Sequence, residues 1–402
     1  MRIRLIYPSW ERLRYQTPYV LPPLGAAVVA ALTPPEHEVS LSDENLAPVD
    51  LDAPADLAAV STMLISQAPR ACAIADGFRS RGVPVVMGGL MVACLPELAA
   101  RHADAIVLGE AEGVWPQVLA DLERKALRPV YRRGSLAGPE EMPAARRDIF
   151  KPGQYAYRGL RMMDLVETSR GCRFGCLPCL VPHAAGREHR MRDMAAVVRE
   201  LRGVECDRVF IVDSALEQNE DHERALFRAM KGLGKSWVGH ALSARPDIMS
   251  LAAESGCWFV YQAVLHDSPR IREKIRMMHD HGIAVEGTIL LGLDEHGPDV
   301  FKRMVDFLLE CGLDLAEFTV LTPFPGTPLF AEMKKAGRIL HEDWGRYNAE
   351  NVVFRPARMT PEQLAEGCRW AWEAFYEEES QSAKMTRLYR RLAGRGAWQP
   401  PA

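Results

Sequence analysis

Glu167-Thr-Ser-Arg-Gly-Cys172-Arg-Phe-Gly-Cys176-Leu-Pro-Cys179 is the stretch that decides the fold, because it spaces three cysteines as C-x3-C-x2-C. It follows the apolar residues 163–166, which are expected to end a strand. Thiolates are preferred ligands of iron–sulfur clusters and of zinc, and structural sites usually supply four ligands. The spacing therefore predicts a metal centre held by Cys172, Cys176 and Cys179, with one ligand position left to another group.

Two kinds of metal centre fit this spacing. In a 4Fe-4S cluster the fourth iron would remain open to a substrate. In a zinc site a nearby residue such as His183 or His189 would supply the fourth ligand. The loop lies in a series of alternating strands and helices, and this position favours the cluster.

The composition is that of an ordinary globular protein and excludes several classes. The chain has 402 residues, 48% apolar and 25% charged, with a net charge of −4 and no basic block, so a nucleic-acid partner is not expected. Nine cysteines, six of them scattered outside the loop, do not form a disulfide framework, which favours a reducing cytoplasmic location. No apolar run approaches the roughly 18 to 20 residues of a membrane span.

Residues 1–130 alternate short apolar strands with helices, a pattern typical of a doubly wound parallel sheet. Ligands of such sheets bind at the carboxyl ends of the strands. Six residues are expected at those ends, namely Ser61, Thr62, Gly88, Gly89, Gly109 and Glu110. The glycines would let backbone amides approach a bulky ligand, although a glycine pair is often only a turn.

The rest of the chain divides into three predicted parts. Residues 131–160 are a polar, proline-containing linker, and residues 161–330 contain six strand–helix units, too few for an eight-unit barrel. Residues 331–402 form a small C-terminal helical region. Its helix is predicted to begin with a capping box between Thr360 and Gln363, and its apolar stripe is expected to be core.

The cysteine loop resembles that of radical S-adenosylmethionine (SAM) enzymes. The stretches 81–89 (Arg-Gly-Val-Pro-Val-Val-Met-Gly-Gly) and 103–112 (Ala-Asp-Ala-Ile-Val-Leu-Gly-Glu-Ala-Glu) resemble the branch with a preceding cobalamin-binding domain. The resemblance implies an α/β protein with an N-terminal Rossmann-like cobalamin domain, a partial (β/α)6 barrel and a small helical C-terminal region. It implies three cofactors: a 4Fe-4S cluster, SAM and cobalamin.

The resemblance also assigns residues to SAM. Asp213 would meet the SAM amino group, Ser243 and Arg245 the carboxylate or ribose, and Gly292 the adenine. Two of these residues have a plainer alternative in the sequence. Asp213 equally fits a helix N-cap, and Arg245 equally fits an ion pair with a neighbouring acid.

The sequence departs from the family pattern at two places. The family usually has an aromatic residue where Pro178 stands, and the Glu-Ser pair expected after the strand at 257–262 is missing, with only one helix following. Tyr261, Gln262 and His266 are therefore candidate catalytic residues facing the reaction chamber, although a lone loop histidine is more often only solvated. The Asp-x-His-x-x-Gly cobalt-ligand motif is absent, as is common in this branch.

The resemblance implies a cobalamin-dependent C-methyltransferase. One SAM would methylate cobalamin, and a second would yield a deoxyadenosyl radical that activates an unactivated carbon of a small-molecule substrate. An external one-electron reductant of the flavodoxin or ferredoxin type would be required. Three alternatives stay open: a non-methylating cyclisation or rearrangement, a radical SAM enzyme whose first domain no longer holds cobalamin, and a non-catalytic cofactor-binding protein.

Overall fold

Two six-stranded parallel sheets form the protein in the computed structural model, which describes residues 1–15, 19–151, 153–157 and 160–394. The first sheet has the order β2-β1-β3-β4-β5-β6. Its strands are β1 (Arg2–Tyr7), β2 (Glu38–Asp43), β3 (Leu57–Thr62), β4 (Val85–Gly89), β5 (Ala105–Leu108) and β6 (Val130–Arg132). Its helices are α1 (Leu24–Ala31), α2 (Ala68–Arg79), α3 (Leu90–Cys94), α4 (Pro96–His102) and α5 (Trp115–Glu123).

Apolar side chains cover both faces of this first sheet. One buried cluster contains Ile6, Val60 and Met87 with residues of α2 and α3. A second contains Leu5, Ala59 and residues of α1 and α5. Because strands buried on both faces need apolar residues at every position, the continuous apolar runs correctly predicted a doubly wound parallel sheet.

The connection between the two sheets contains a short antiparallel pair, β7 (Ala156–Tyr157) and β8 (Leu160–Arg161). Ile149 is buried against the first sheet, while the Arg147 Nη1 lies 2.8 Å from Glu200 Oε1, beyond the start of the second sheet. The connection therefore packs against both halves. The domain boundaries given from the sequence stay a prediction, and residues 395–402 of the C-terminal region lie outside the described part.

The second sheet has the order β16-β15-β14-β13-β12-β9 and is parallel throughout. Its strands are β9 (Asp164–Val166), β12 (Arg208–Ile211), β13 (Ser236–His240), β14 (Cys257–Val264), β15 (Ala284–Leu291) and β16 (Leu315–Val320), with a small pair β10 (Ser169–Arg170) and β11 (Arg190–Met191) beside it. Its helices are α6 (Val181–Ala184), α7 (Met194–Gly203), α8 (Glu220–Met230), α9 (Pro246–Glu254), α10 (Pro269–Asp280), α11 (Val300–Glu310) and α12 (Pro328–Lys335).

Two C-terminal helices complete this half, α13 (Pro361–Phe375) and α14 (Gln381–Gly394). The capping box predicted at Thr360 and Gln363 is present, and the predicted apolar stripe of α13 is buried in the main core. Six strands in sequence order with helices on the outer side form the predicted partial barrel. Within the described residues, no helix is both long and apolar enough to cross a bilayer.

Candidate active site

The three cysteines lie on one loop between β10 and α6, at the carboxyl end of the second sheet. Cys172 is buried, Cys179 half-buried and Cys176 exposed, and all three are free thiols. The Cys179 N–H donates to the Cys176 carbonyl at 3.1 Å, which curls the loop. Burial raises the pKa of the Cys172 and Cys179 thiols, so a cationic metal centre is needed to hold them as thiolates.

The arrangement of the thiols bears on the choice between a cluster and a zinc ion. Zn–S bonds of about 2.3 Å in a tetrahedron bring thiolate sulfurs within about 3.8 Å of one another. In the described part of the chain, the three Sγ atoms are not gathered within 4.8 Å of one another. His189, a possible fourth zinc ligand, contacts Ser169 Oγ through Nε2 at 2.8 Å instead. Within the described residues, the three thiols and His189 are therefore not arranged as the ligands of a single zinc ion.

Asp213 anchors the start of this loop. The Thr168 N–H donates to Asp213 Oδ1 at 2.6 Å, and the Thr168 and Ser169 hydroxyls donate to Oδ2, each at 2.5 Å. The carboxyl group is 1% exposed, and burial raises its pKa against the opposing effect of these hydrogen bonds. Both carboxylate oxygens of Asp213 thus accept hydrogen bonds from the start of the cysteine loop. The alternative N-cap role belongs to Asn219, whose side chain caps α8.

Gln218 holds the loop on both sides of Cys172, and sequence reasoning missed it. Its Oε1 accepts from the Arg173 N–H at 2.9 Å, and its Nε2 donates to the Gly171 carbonyl at 3.2 Å. Gly171 itself has φ +88°, and a Cβ there would lie 2.0 Å from the Glu188 carbonyl oxygen. Only glycine fits this close approach. A lone glutamine in a polar stretch gives no signal of such a contact.

The other residues assigned to SAM follow the carboxyl ends of β13 and β15. Ser243 is buried, and its N–H donates to Glu223 Oε1 at 2.9 Å, while burial raises the pKa of Glu223 to about 7. The Arg245 side chain is 58% exposed, with Glu220 at 4.0 Å as its ion-pair partner. Gly292 has φ +94° and packs against Leu364. These roles in SAM binding stay predictions.

The three candidate catalytic residues lie in different places. Tyr261 faces the inside of the partial barrel, but Gln262 is buried on the opposite face, because successive side chains of a strand point to opposite sides. His266 is exposed on the loop after β14, beside Glu295 and His296. The expectation that all three share the chamber therefore needs correction for Gln262.

A cavity of about 280 Å³ opens at the carboxyl end of the first sheet. Its lining includes five of the six residues predicted there, Ser61, Gly88, Gly89, Gly109 and Glu110. Thr62 is buried just outside this lining, and its hydroxyl donates to the Gly88 carbonyl at 3.0 Å. Apolar side chains of the strands and of α1 and α5 form most of the remaining wall, and charged side chains form the rest, so the cavity suits a largely apolar group.

Charged residues connect this cavity to the cysteine loop. Arg170, two residues before Cys172, lies 2.8 Å from both Glu112 and Glu167 and 3.4 Å from Glu110. Arg190 also pairs with Glu110, at 2.7 Å. Glu167 and Arg170 themselves line the cavity. The cysteine loop and the cavity of the first sheet are therefore two sides of one cleft.

The sequence is similar to curated methyltransferases over most of its length. It is 25% identical to the bacteriochlorophyllide d C-12(1)-methyltransferase of Chlorobaculum tepidum, covering 93% of this chain and 85% of that protein. It is 26% identical to the bacteriochlorophyllide d C-8(2)-methyltransferase of the same organism, covering 84% of this chain and 82% of that protein. The hopanoid C-2 methylase of Rhodopseudomonas palustris is 25% identical, covering 83% and 68%. No family model matches the sequence.

The fold is that of the radical SAM methyltransferase TsrM from Kitasatospora setae. The TsrM structure with cobalamin and a [4Fe-4S] cluster superposes with a TM-score of 0.70 at 17% identity, covering 91% of this chain and 84% of TsrM. A second TsrM structure, with tryptophan and a SAM analogue bound, also superposes with a TM-score of 0.70, covering 83% of this chain and 76% of TsrM. The predicted fold, a doubly wound sheet followed by a partial barrel, is confirmed.

Proposed function

We propose that this chain, a cobalamin-domain radical SAM protein of the methyltransferase type, transfers a methyl group from SAM through cobalamin to an unactivated carbon of a small-molecule substrate. The observation that carries this proposal is the shared cleft. A loop with three free thiols borders a glycine-lined cavity through Glu167 and Arg170. The methyltransferases named above are 25 to 26% identical to this chain over most of its length.

The residues on each side of the cleft fit the groups that they would hold. Cys172, Cys176 and Cys179 would bind the 4Fe-4S cluster and leave one iron for SAM. Gly88 and Gly89 line the cavity that would hold the corrin, and glycine is required at Gly89 because a Cβ there would lie 2.0 Å from the Thr62 carbonyl oxygen. When bound, these groups supply the methyl donor and the radical chemistry, while the protein orients them and excludes water.

The external reductant and the substrate are also part of the proposal. A flavodoxin- or ferredoxin-type protein would deliver electrons near the exposed Cys176. The small-molecule substrate would enter the inside of the partial barrel, next to the cysteine loop. A cytoplasmic location would protect an exposed cluster from oxygen.

Anaerobic reconstitution with iron, sulfide and hydroxocobalamin tests the proposal. We expect four irons and one cobalt per chain by metal analysis, together with cleavage of SAM after reduction. The Cys176→Ala variant should lose the cluster absorbance and SAM cleavage, while Cys311→Ala, which replaces a half-buried cysteine outside the loop, should keep both. Zinc without iron, or normal turnover by Cys176→Ala, would overturn the proposal.

Product mass separates methylation from other radical reactions. A gain of one CH2 in the product supports methyl transfer. An unchanged or reduced mass would leave the cluster chemistry in place and refute the methyltransferase. Undiminished activity without cobalamin would show that the first domain has no cofactor role.

A further inference from the structure

A row of polar side chains crosses the second sheet on one face. In the strand register, His240 of β13 is opposite Tyr261 of β14, and Tyr261 is opposite Glu286 of β15. Glu286 is opposite Leu315 of β16, and Glu317 follows two residues later. Residues opposite one another, and residues two apart on a strand, point to the same side of a sheet. His240, Tyr261, Glu286 and Glu317 therefore share one face.

That face is the inside of the partial barrel. The intervening residues, such as Val260, Val285 and Phe318, pack with the outer helices in the main core. On the inner face, Phe259, Ala284 and Leu315 pack against Leu388 of α14, with Met385 and Tyr389 beside them. The helix α14 thus closes the amino end of the barrel, and we call the enclosed space above it the lumen. Along β14 the inner face is buried at Phe259, partly exposed at Tyr261 and exposed at Ala263, so the lumen opens toward the carboxyl ends of the strands, where the cysteine loop lies.

The two lumen carboxyl groups lack partners. Among the described residues, neither Glu286 nor Glu317 accepts a hydrogen bond or pairs with a cation, although both are only half-buried. Burial raises the pKa of Glu286 to about 8, with a further contribution from Glu317, and burial also raises the pKa of Glu317. In such surroundings, a ligand that brings positive charge or N–H donors stabilises the ionised form of the carboxyl group.

Aromatic rings complete the lining. The Phe210 ring lies 5.2 Å from His240 and 5.5 Å from Tyr261, measured between centroids. The His240 Nδ1 lies 2.7 Å from the Asp213 carbonyl oxygen, which only accepts, so Nδ1 carries the proton and Nε2 is an acceptor. Burial lowers the pKa of His240 and keeps the ring neutral. Carboxylates and the faces of aromatic rings together attract organic cations.

We propose that the lumen between Glu286 and Glu317 is a substrate subsite for a positively charged nitrogen group, an organic ammonium or guanidinium. This inference rests on the proposed function, since it names the class of substrate for the same site. Glu286 precedes the end of β15 by five residues, or about 16 Å along a strand. Cofactors of parallel sheets bind at the carboxyl ends of the strands. The subsite therefore lies well below the level at which the cofactors would bind.

Binding of three matched probes to the full-length, anaerobically reconstituted protein tests the proposal without turnover. The probes are benzylammonium, benzyl alcohol and benzoate, which share one ring and differ in charge, and affinity is measured by isothermal titration without SAM. We expect the wild type to prefer benzylammonium over benzyl alcohol by about tenfold and to bind benzoate more weakly still. Glu286→Gln/Glu317→Gln should reduce that preference to less than about threefold.

The control variant is Glu254→Gln, which removes a surface carboxylate of α9 that pairs with Lys231 at 2.8 Å. It should keep the full preference. Equal affinity of the wild type for benzylammonium and benzyl alcohol would overturn the proposal, whether or not the double variant folds. So would an undiminished preference in the double variant. Either result would leave the iron and cobalt contents unchanged, so failure of the subsite is distinguishable from failure of the proposed function.

Discussion

Two carboxyl groups of the partial barrel, one fully buried and one half-buried, differ in their partners. Asp213 accepts three hydrogen bonds from Thr168 and Ser169, and all of them fix the start of the cysteine loop. Glu286 accepts none within the described residues and faces an open lumen. A satisfied buried carboxylate contributes to structure, whereas an unsatisfied one destabilises the fold until a ligand supplies donors. The comparison separates residues that position the cofactor loop from residues that would bind substrate.

The largest expected effect comes from removing Asp213. Asp213→Ala would remove the acceptor of three buried hydrogen bonds, each of which contributes about 1 kcal/mol. We expect the free energy of unfolding to fall by about 3 kcal/mol and the iron content after reconstitution to fall with it. Chemical denaturation and iron analysis measure the two quantities.

Asp306→Ala is the matched control for this prediction. Asp306 is on the exposed side of α11 and, among the described residues, pairs only with Lys302, at 2.6 Å, so its loss should change stability by less than about 0.5 kcal/mol. If Asp213→Ala kept normal stability and iron content but lost SAM binding, Asp213 would be a SAM ligand, as the family resemblance implies. The conclusion that Asp213 serves to fix the cysteine loop would then be wrong.

Glu286→Gln should act in the opposite direction, by stabilising the protein. The pKa of Glu286 is raised to about 8 in the folded protein, so the folded state binds its proton more tightly than the unfolded state does. The unfavourable effect of ionisation is therefore absent below about pH 4.5 and grows as the pH rises toward about 8. We expect Glu286→Gln to be more stable than the wild type by about 1 to 3 kcal/mol at pH 8, and close to it at pH 4.

Unfolding by urea across this pH range measures the effect. Glu310→Gln, at an exposed position of α11 that pairs with Arg272 at 2.9 Å, should show no such pH-dependent gain. A loss of stability in Glu286→Gln at pH 8 would mean that the carboxylate is well solvated or paired. The contrast with Asp213 would then disappear.

The sequence predicted the features that are set by spacing and periodicity. Three cysteines within eight residues indicate a metal loop wherever they occur, and alternating apolar strands and helices predicted both parallel sheets. The glycines and Glu110 at the strand ends were placed correctly at one cavity, because the carboxyl ends of parallel strands meet at one edge.

Features that depend on strand register were not predictable in the same way. Tyr261 and Gln262 are adjacent in sequence but point to opposite faces, and the choice between the faces depends on which neighbours contact the helices. Glu286 and Glu317 are 31 positions apart in the sequence, and the pairing of β15 with β16 brings them to one face. Gln218 was missed because its contacts are with backbone groups of the cysteine loop.

The smallest expected effect concerns Arg245, which the resemblance assigns to SAM. Its side chain is largely exposed and its ion-pair partner Glu220 is 4.0 Å away, so Arg245→Ala should change the free energy of unfolding by less than about 0.5 kcal/mol. Equilibrium binding of SAM to the reconstituted protein tests the assigned role, with Arg228→Ala on α8 as the surface control. If Arg245 contacts the SAM carboxylate, its replacement deletes a charge-assisted hydrogen bond and should weaken SAM binding about tenfold at unchanged stability.

Unchanged SAM affinity of Arg245→Ala would show that Arg245 is not part of the SAM site. A lower free energy of unfolding of Arg245→Ala would instead show that an exposed side chain stabilises the fold. The comparison of Asp213 with Glu286 assigns that role to buried groups whose hydrogen bonds are satisfied.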